Sequence, residues 1–157
     1  REREKEAKTK AAAAKFLEEV KVQEPQAKAL PSGVKIFKLV DGKGKQPNHT
    51  HQVMVNYAGY LKNGTLFDSN VKEIEEAYGK YNSLREQQGG YQAFPMPYNT
   101  SAQLIPGFRD ALLTMKVGDK IRVFIPAALG YGERGAGDVI PPNSDLIFDI
   151  EITDIAK

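Results

Sequence analysis

Apolar and polar residues alternate along VKIFKLV (34–40), the spacing of a strand with one buried face. HQVMVNYAGYL (51–61), LFDS (66–69), KIRVFIP (120–126) and LIFDIEITDI (146–155) read as further strands. The turn clusters DGKGKQP, NGT and VGD separate them. Two stretches carry helical spacing instead. Val71, Ile74, Tyr78 and Tyr81 recur every three or four residues, which predicts one helix over 71–88, stopped by Gly89-Gly90. Glu73, Glu75 and Glu76 are expected on its solvated face, paired with lysines. After Ile105-Pro106-Gly107, FRDALLTMK predicts a short amphipathic helix, and YQAFPMPY before it is extended. Strands dominate, so the predicted class is α+β around an antiparallel sheet.

Residues 1–24 differ from the rest, being alanine-rich, highly charged and free of Gly and Pro. Thr9, Ala13, Phe16, Leu17 and Val20 form a thin apolar stripe at helical spacing. Pro25 ends this helix, and Pro31-Ser32-Gly33 punctuates the link to the next segment. The expected division is a helix and linker over 1–29 and one domain over 30–157. The stripe suits either a helix packed lightly on its own domain or the end of a longer helix that pairs with another subunit. It is too narrow for a lone helix to be stable, which favours the second.

Composition narrows the chemistry. The net charge is +2 over 157 residues, without a basic patch, so nucleic acid is not an implied partner. The absence of cysteine excludes disulfides, thiolate zinc sites and a Cys nucleophile. No apolar run reaches membrane-spanning length. The chain begins at Arg1 rather than Met, which is compatible with a removed export signal. His49 and His51 share a strand face but have no third ligand in view, so they read as exposed at a strand entry. With only these two histidines, no serine has a triad partner. Asn48-His49-Thr50, Asn63-Gly64-Thr65 and Asn99-Thr100-Ser101 match a glycosylation acceptor, a pattern that arises easily by chance. GYGERGAGDVIPP (130–142) contains G-x-G-x-x-G after a strand. A dinucleotide loop must open a helix, and Val139-Ile140-Pro141-Pro142 does not start one. No cofactor and no metal is therefore expected. What remains is a set of aromatic and branched residues beside turns, either ordinary core or the walls of a pocket.

Three blocks decide between these readings. VNYAGYLKNGTLFDS, LIPGFRDALLTMKVGDKIRVFIPAALGYGERG and VIPPNSDLIFDIEI, in this order, resemble the signature of FKBP-type peptidyl-prolyl cis-trans isomerases. The resemblance runs from about Ser32 to Ile155. SGVKIFKLVDGKGKQP also resembles the bacterial branch related to the macrophage infectivity potentiator, where an N-terminal helix often serves dimerisation. The resemblance implies a twisted antiparallel sheet wrapped around one short helix, with an apolar pocket between them. It implies isomerisation of X–Pro bonds in client polypeptides, with a non-catalytic binding module or chaperone as the alternative. Tacrolimus and rapamycin become expected inhibitors, a homodimer through the N-terminal helix an expected assembly, and the periplasm or cell envelope an expected location, with the cytoplasm as the other.

Carried over by position, Tyr57, Asp68, Ile105 and Tyr131 are the expected catalytic residues. Phe67, Phe94, Leu104, Phe108, Val139, Ile140 and Phe148 are the expected walls for substrate. The glycine-rich segment would then be a flap whose glycines serve turns. Two departures stand out. Phe108 occupies a position where many relatives carry tryptophan. The 25 residues between Asp68 and Phe94 contain an insertion, at about 70–92, that minimal relatives lack. The basic partner of the pocket aspartate falls in this stretch, with Arg85 as the candidate. The insertion itself reads as a substrate or client contact, or as inert padding.

Overall fold

The computed structural model describes residues 2–156. Helix α1 (Glu2–Gln23) leads through a short 3-10 turn to β1 (Lys28–Ala29), β2 (Lys35–Val40) and β3 (Gln52–Leu61). β4 (Leu66–Ser69), α2 (Lys72–Ala77), α3 (Ser83–Gln87) and β5 (Phe94–Pro97) follow. α4 (Pro106–Leu112), β6 (Lys120–Ile125) and β7 (Leu146–Ala156) complete the chain. The strands form one antiparallel sheet in the order β1-β2-β6-β7-β3-β4, with β5 also on β3. β3 pairs with β7 along its whole length, from Gln52↔Ala156 to Leu61↔Leu146. It divides its other edge between β5, at 52–55, and β4, at 58–60. The chain thus leaves the sheet at Ser69 and returns at Phe94, which places the insertion beside the gap between β4 and β5.

Strand alternation sorts the sheet's two faces. Ile121, Val123 and Ile125 of β6, with Phe148, Ile150 and Ile152 of β7, join the core built on Phe108, Ala111 and Leu112 of α4. Phe124 and Ile147 point the other way, joining Tyr60 and Leu66 in a second core that α1 closes with Phe16 and Val20. The result is three layers: α1, the sheet, then α4.

The stripe on α1 therefore faces this chain's own sheet. Phe16 stacks on Tyr60, ring centroids 3.9 Å apart, and the Arg122 guanidinium lies over the Phe16 ring at 4.7 Å. Arg122 also grips Asp149 through Nε and Nη2, at 2.7 and 2.9 Å, and reaches Glu19 and Gln23 of α1 through Nη1. Of the stripe, only Leu17 remains exposed as a large apolar side chain, and Val22 lies exposed nearby.

The insertion is not the single helix that its periodicity predicts. Gly79 takes a left-handed φ of +69° and breaks it into α2 and α3. Tertiary contacts outweigh the continuous pattern. Tyr78 packs on Tyr60 at 5.6 Å, and its carbonyl accepts the Thr9 hydroxyl of α1 at 2.8 Å. Asn82 then restarts the chain as the cap of α3, its Oδ1 accepting the Arg85 N–H. Glu75 is likewise not on a solvated face: it is 4% exposed and accepts the Tyr91 hydroxyl at 2.8 Å.

The three Asn-x-Ser/Thr tripeptides share one local geometry. Asn48, Asn63 and Asn99 each accept the backbone N–H two residues on, forming Asx turns. His51 caps the first of them, Nδ1 accepting the Asn48 N–H at 3.0 Å, while His49 is exposed.

Candidate active site

A cleft of about 430 Å³ opens between the start of α4, the β4–β5 gap and the glycine-rich loop. Its floor is Phe108, 4% exposed, on the first turn of α4. Phe108 meets Phe148 edge-to-face at 5.2 Å and Tyr57 at 6.5 Å, and Phe67 meets Phe148 at 5.5 Å. Perpendicular rings place positive edges on negative faces, so the floor is rigid as well as apolar. Pro106 at the head of α4 holds Ile105 extended, at φ −59° and ψ 144°, on the cleft's rim with Leu104.

One polar pair interrupts this lining. The Tyr57 hydroxyl donates to Asp68 Oδ2 at 2.7 Å, and Arg85 Nη1 donates to Asp68 Oδ1 at 2.9 Å. Both carboxylate oxygens are thereby engaged. Burial, then the bond to Asp68, raises the Tyr57 pKa far above that of a free phenol, so Tyr57 is a fixed neutral donor. Backbone contacts fix the pair from behind: Asn70 Oδ1 accepts the Tyr57 N–H at 2.7 Å, and the Ser69 hydroxyl donates to the Tyr57 carbonyl at 2.7 Å. Asp68 is oriented for holding a neighbour in place. The cleft contains no pair of groups poised to pass a proton.

Of the eleven residues expected from the sequence, nine line this cleft. Val139 and Ile140 do not. Ile140 is buried in the core against α4, and Val139 is exposed on the loop beyond it. The bridge between Ala136 and Ile140 causes this, because it turns the Ile140 side chain inward. That bridge depends on Gly135 at φ +67°, where a Cβ would come within 2.2 Å of the Ile140 carbonyl oxygen. The loop's glycines thus build turns, as their sequence context predicts. Phe94 and Tyr131 stand at the mouth, 58% and 39% exposed. Met96 and Gln103 also line the cleft. Met96 was legible in principle, two residues beyond Phe94 on the same strand face, whereas nothing in the pattern marks Gln103.

The site is thus a rigid aromatic slot with one organised phenol in its wall, a shape suited to holding a compact apolar group. The family model for FKBP-type peptidyl-prolyl cis-trans isomerase matches residues 43–153, and the chain belongs to that family. It is similar to an FKBP-type 22 kDa peptidyl-prolyl cis-trans isomerase of Escherichia coli, 36% identical over 90% of this chain and 58% of that protein. It is also similar to the outer membrane protein MIP of Legionella longbeachae, 37% identical over 85% of this chain and 48% of that protein. The chain thus spans about half the length of these two relatives. Among solved structures, a peptidyl-prolyl cis-trans isomerase from Pseudomonas syringae pv. tomato superposes with a TM-score of 0.63 at 30% identity, covering 97% of this chain and 96% of that one.

Proposed function

We propose that this chain catalyses cis–trans isomerisation of X–Pro bonds in polypeptide clients, inside the Phe108 cleft and without covalent chemistry. The observation that carries this is the Tyr57–Asp68 pair set into the wall of an otherwise apolar aromatic slot. The reaction rotates a partial double bond against a barrier of about 18–20 kcal/mol. Resonance in the planar amide places charge on the carbonyl oxygen, and water stabilises that charge. The twisted amide loses this resonance and is less polar. A cleft that strips water away therefore costs the planar state more than the twisted one, which is differential binding of the transition state.

In this mechanism the proline ring rests on Phe108, between Phe67, Phe148 and Tyr57. The Ile105 N–H anchors one carbonyl of the bound segment, and the Tyr131 hydroxyl at the mouth holds the carbonyl N-terminal to the proline. Asp68 keeps the Tyr57 ring in place. Tacrolimus and rapamycin would occupy the same cleft. Envelope or periplasmic location is supported by the similarity to an outer membrane protein. A homodimer through residues 1–29 would use the outward Leu17 and Val22, since Phe16 and Val20 are taken up by this chain's own sheet. Catalytic amounts of protein should accelerate cis–trans exchange of a short X–Pro peptide, read as exchange cross-peaks by NMR. Binding of the peptide without acceleration would replace the isomerase with a binding module.

A further inference from the structure

Beyond Asp68, Arg85 is held by residues of the insertion, with 29% of its side chain still exposed. Its backbone N–H is capped by Asn82 Oδ1 at 3.0 Å. Its guanidinium carbon lies 5.4 Å from the centre of the Tyr91 ring. Nη1 sits between two carboxylates, Asp68 Oδ1 at 2.9 Å and Glu75 Oε1 at 3.6 Å. Tyr91 is held in turn. Its hydroxyl donates to Glu75 Oε1 at 2.8 Å and accepts the Asn82 N–H at 2.9 Å, and its ring stacks on Tyr81 at 5.8 Å. Burial opposes the Arg85 charge, yet the bond to Asp68 and the nearby carboxylates keep its pKa above the ordinary arginine value.

A free arginine side chain samples many rotamers, and fixing one carries a large entropic cost. A cradle with a capped backbone, a ring under the guanidinium and a buried counter-ion meets that cost when the protein folds rather than when substrate arrives. Among the described residues Arg85 is the one cation paired with Glu75, so together with the Tyr91 hydroxyl it compensates the buried carboxylate.

We propose that Glu75 and Tyr91 are positioning residues for the cleft, acting through Arg85 on Asp68 and thence on Tyr57. The insertion is then a working part of the site rather than padding. This rests on the isomerase function proposed above, and the test keeps the two apart. The isomerisation kcat/KM and the arginine side-chain ¹H–¹⁵N spectrum are recorded for the full chain and for Glu75→Gln, Tyr91→Phe, Arg85→Met and Glu75→Gln/Arg85→Met, with Arg85→Met assigning the Arg85 signals. The wild type should show resolved Arg85 Nη protons that exchange slowly. Glu75→Gln and Tyr91→Phe should broaden them and lower kcat/KM about three- to tenfold. In the Arg85→Met background Glu75→Gln should cost nothing further, which a merely structural role would not produce. Equal losses from Glu75→Gln in both backgrounds would overturn the proposal, as would sharp Arg85 signals in Glu75→Gln. If Glu75→Gln fails to fold, Tyr91→Phe, which keeps the ring, decides alone. A folded wild type without any isomerase activity would remove the proposed function, while the spectra would still show whether Glu75 and Tyr91 hold Arg85.

Discussion

Phe16→Ala should detach α1 from the sheet. The ring is 4% exposed, stacked on Tyr60 at 3.9 Å and covered by Arg122 at 4.7 Å. Truncating a buried phenylalanine costs about 3–5 kcal/mol, and the cation–π contact adds about 0.5–2 kcal/mol. α1 buries only one other large side chain, Val20, so the cavity has little neighbouring material to collapse into it. A loss of about 4 kcal/mol is expected, against a total of about 5–15 kcal/mol for a domain. In a chain of this length that lowers Tm by roughly 8–16 °C. Urea denaturation followed by circular dichroism measures it, with Leu17→Ala as the control. Leu17 is 36% exposed, and its truncation should cost less than about 1 kcal/mol. The loss at Phe16 should not vary with protein concentration. If Phe16→Ala costs no more than Leu17→Ala, or if its cost shrinks with dilution as an intersubunit contact would, α1 does not rest on its own sheet and the three-layer architecture is wrong.

Arg122→Met should be nearly as damaging, by about 3–5 kcal/mol in the same titration, because it leaves buried Asp149 without its cation and both paired bonds. Tyr57→Phe leaves Asp68 with Arg85 alone. Its kcat/KM on an X–Pro peptide should fall several-fold, with Tm changed by only a few degrees. Stability should also fail in alkali. Burial pushes the Tyr78 phenol up to about 12, and Tyr57 and Tyr60 rise further for the same reason. These groups stay protonated in the folded chain, while the unfolded chain releases their protons near pH 10. The stability they confer is complete below about pH 10 and is lost as pH rises through 12. A urea midpoint that stays flat from pH 8 to 12 would contradict this. Gly135→Ala should strain the Ala136–Ile140 bridge and lower both Tm and kcat/KM, since its Cβ would strike backbone.

The sheet was legible because five strands carry period-two alternation, and each half of that alternation found its own core. Most of the cleft was legible too, because its residues sit at strand ends and turns where the blocks of family resemblance lie. Three features were not. The spacing of Val71, Ile74, Tyr78 and Tyr81 is helical, but it cannot register that Tyr78 is drawn to Tyr60 and Thr9, which ends α2 at Gly79. Glu75 looks like an exposed helix carboxylate until Arg85 and Tyr91, ten and sixteen residues on, fold against it. The stripe on α1 announces that something covers it, yet a sheet in the same chain and a second subunit leave the same mark on the sequence. Ile140 is a related case: its loop position suggested the pocket, and a single bridge turned it into the core.

The most direct test of the central claim is the rate of X–Pro exchange against rapamycin concentration, at fixed protein. Catalysis in the Phe108 cleft predicts acceleration by the protein alone, suppressed to the uncatalysed rate as the drug saturates one site per chain. Acceleration that persists with the drug bound would place the activity elsewhere, and a folded protein that never accelerates the exchange would contradict the account.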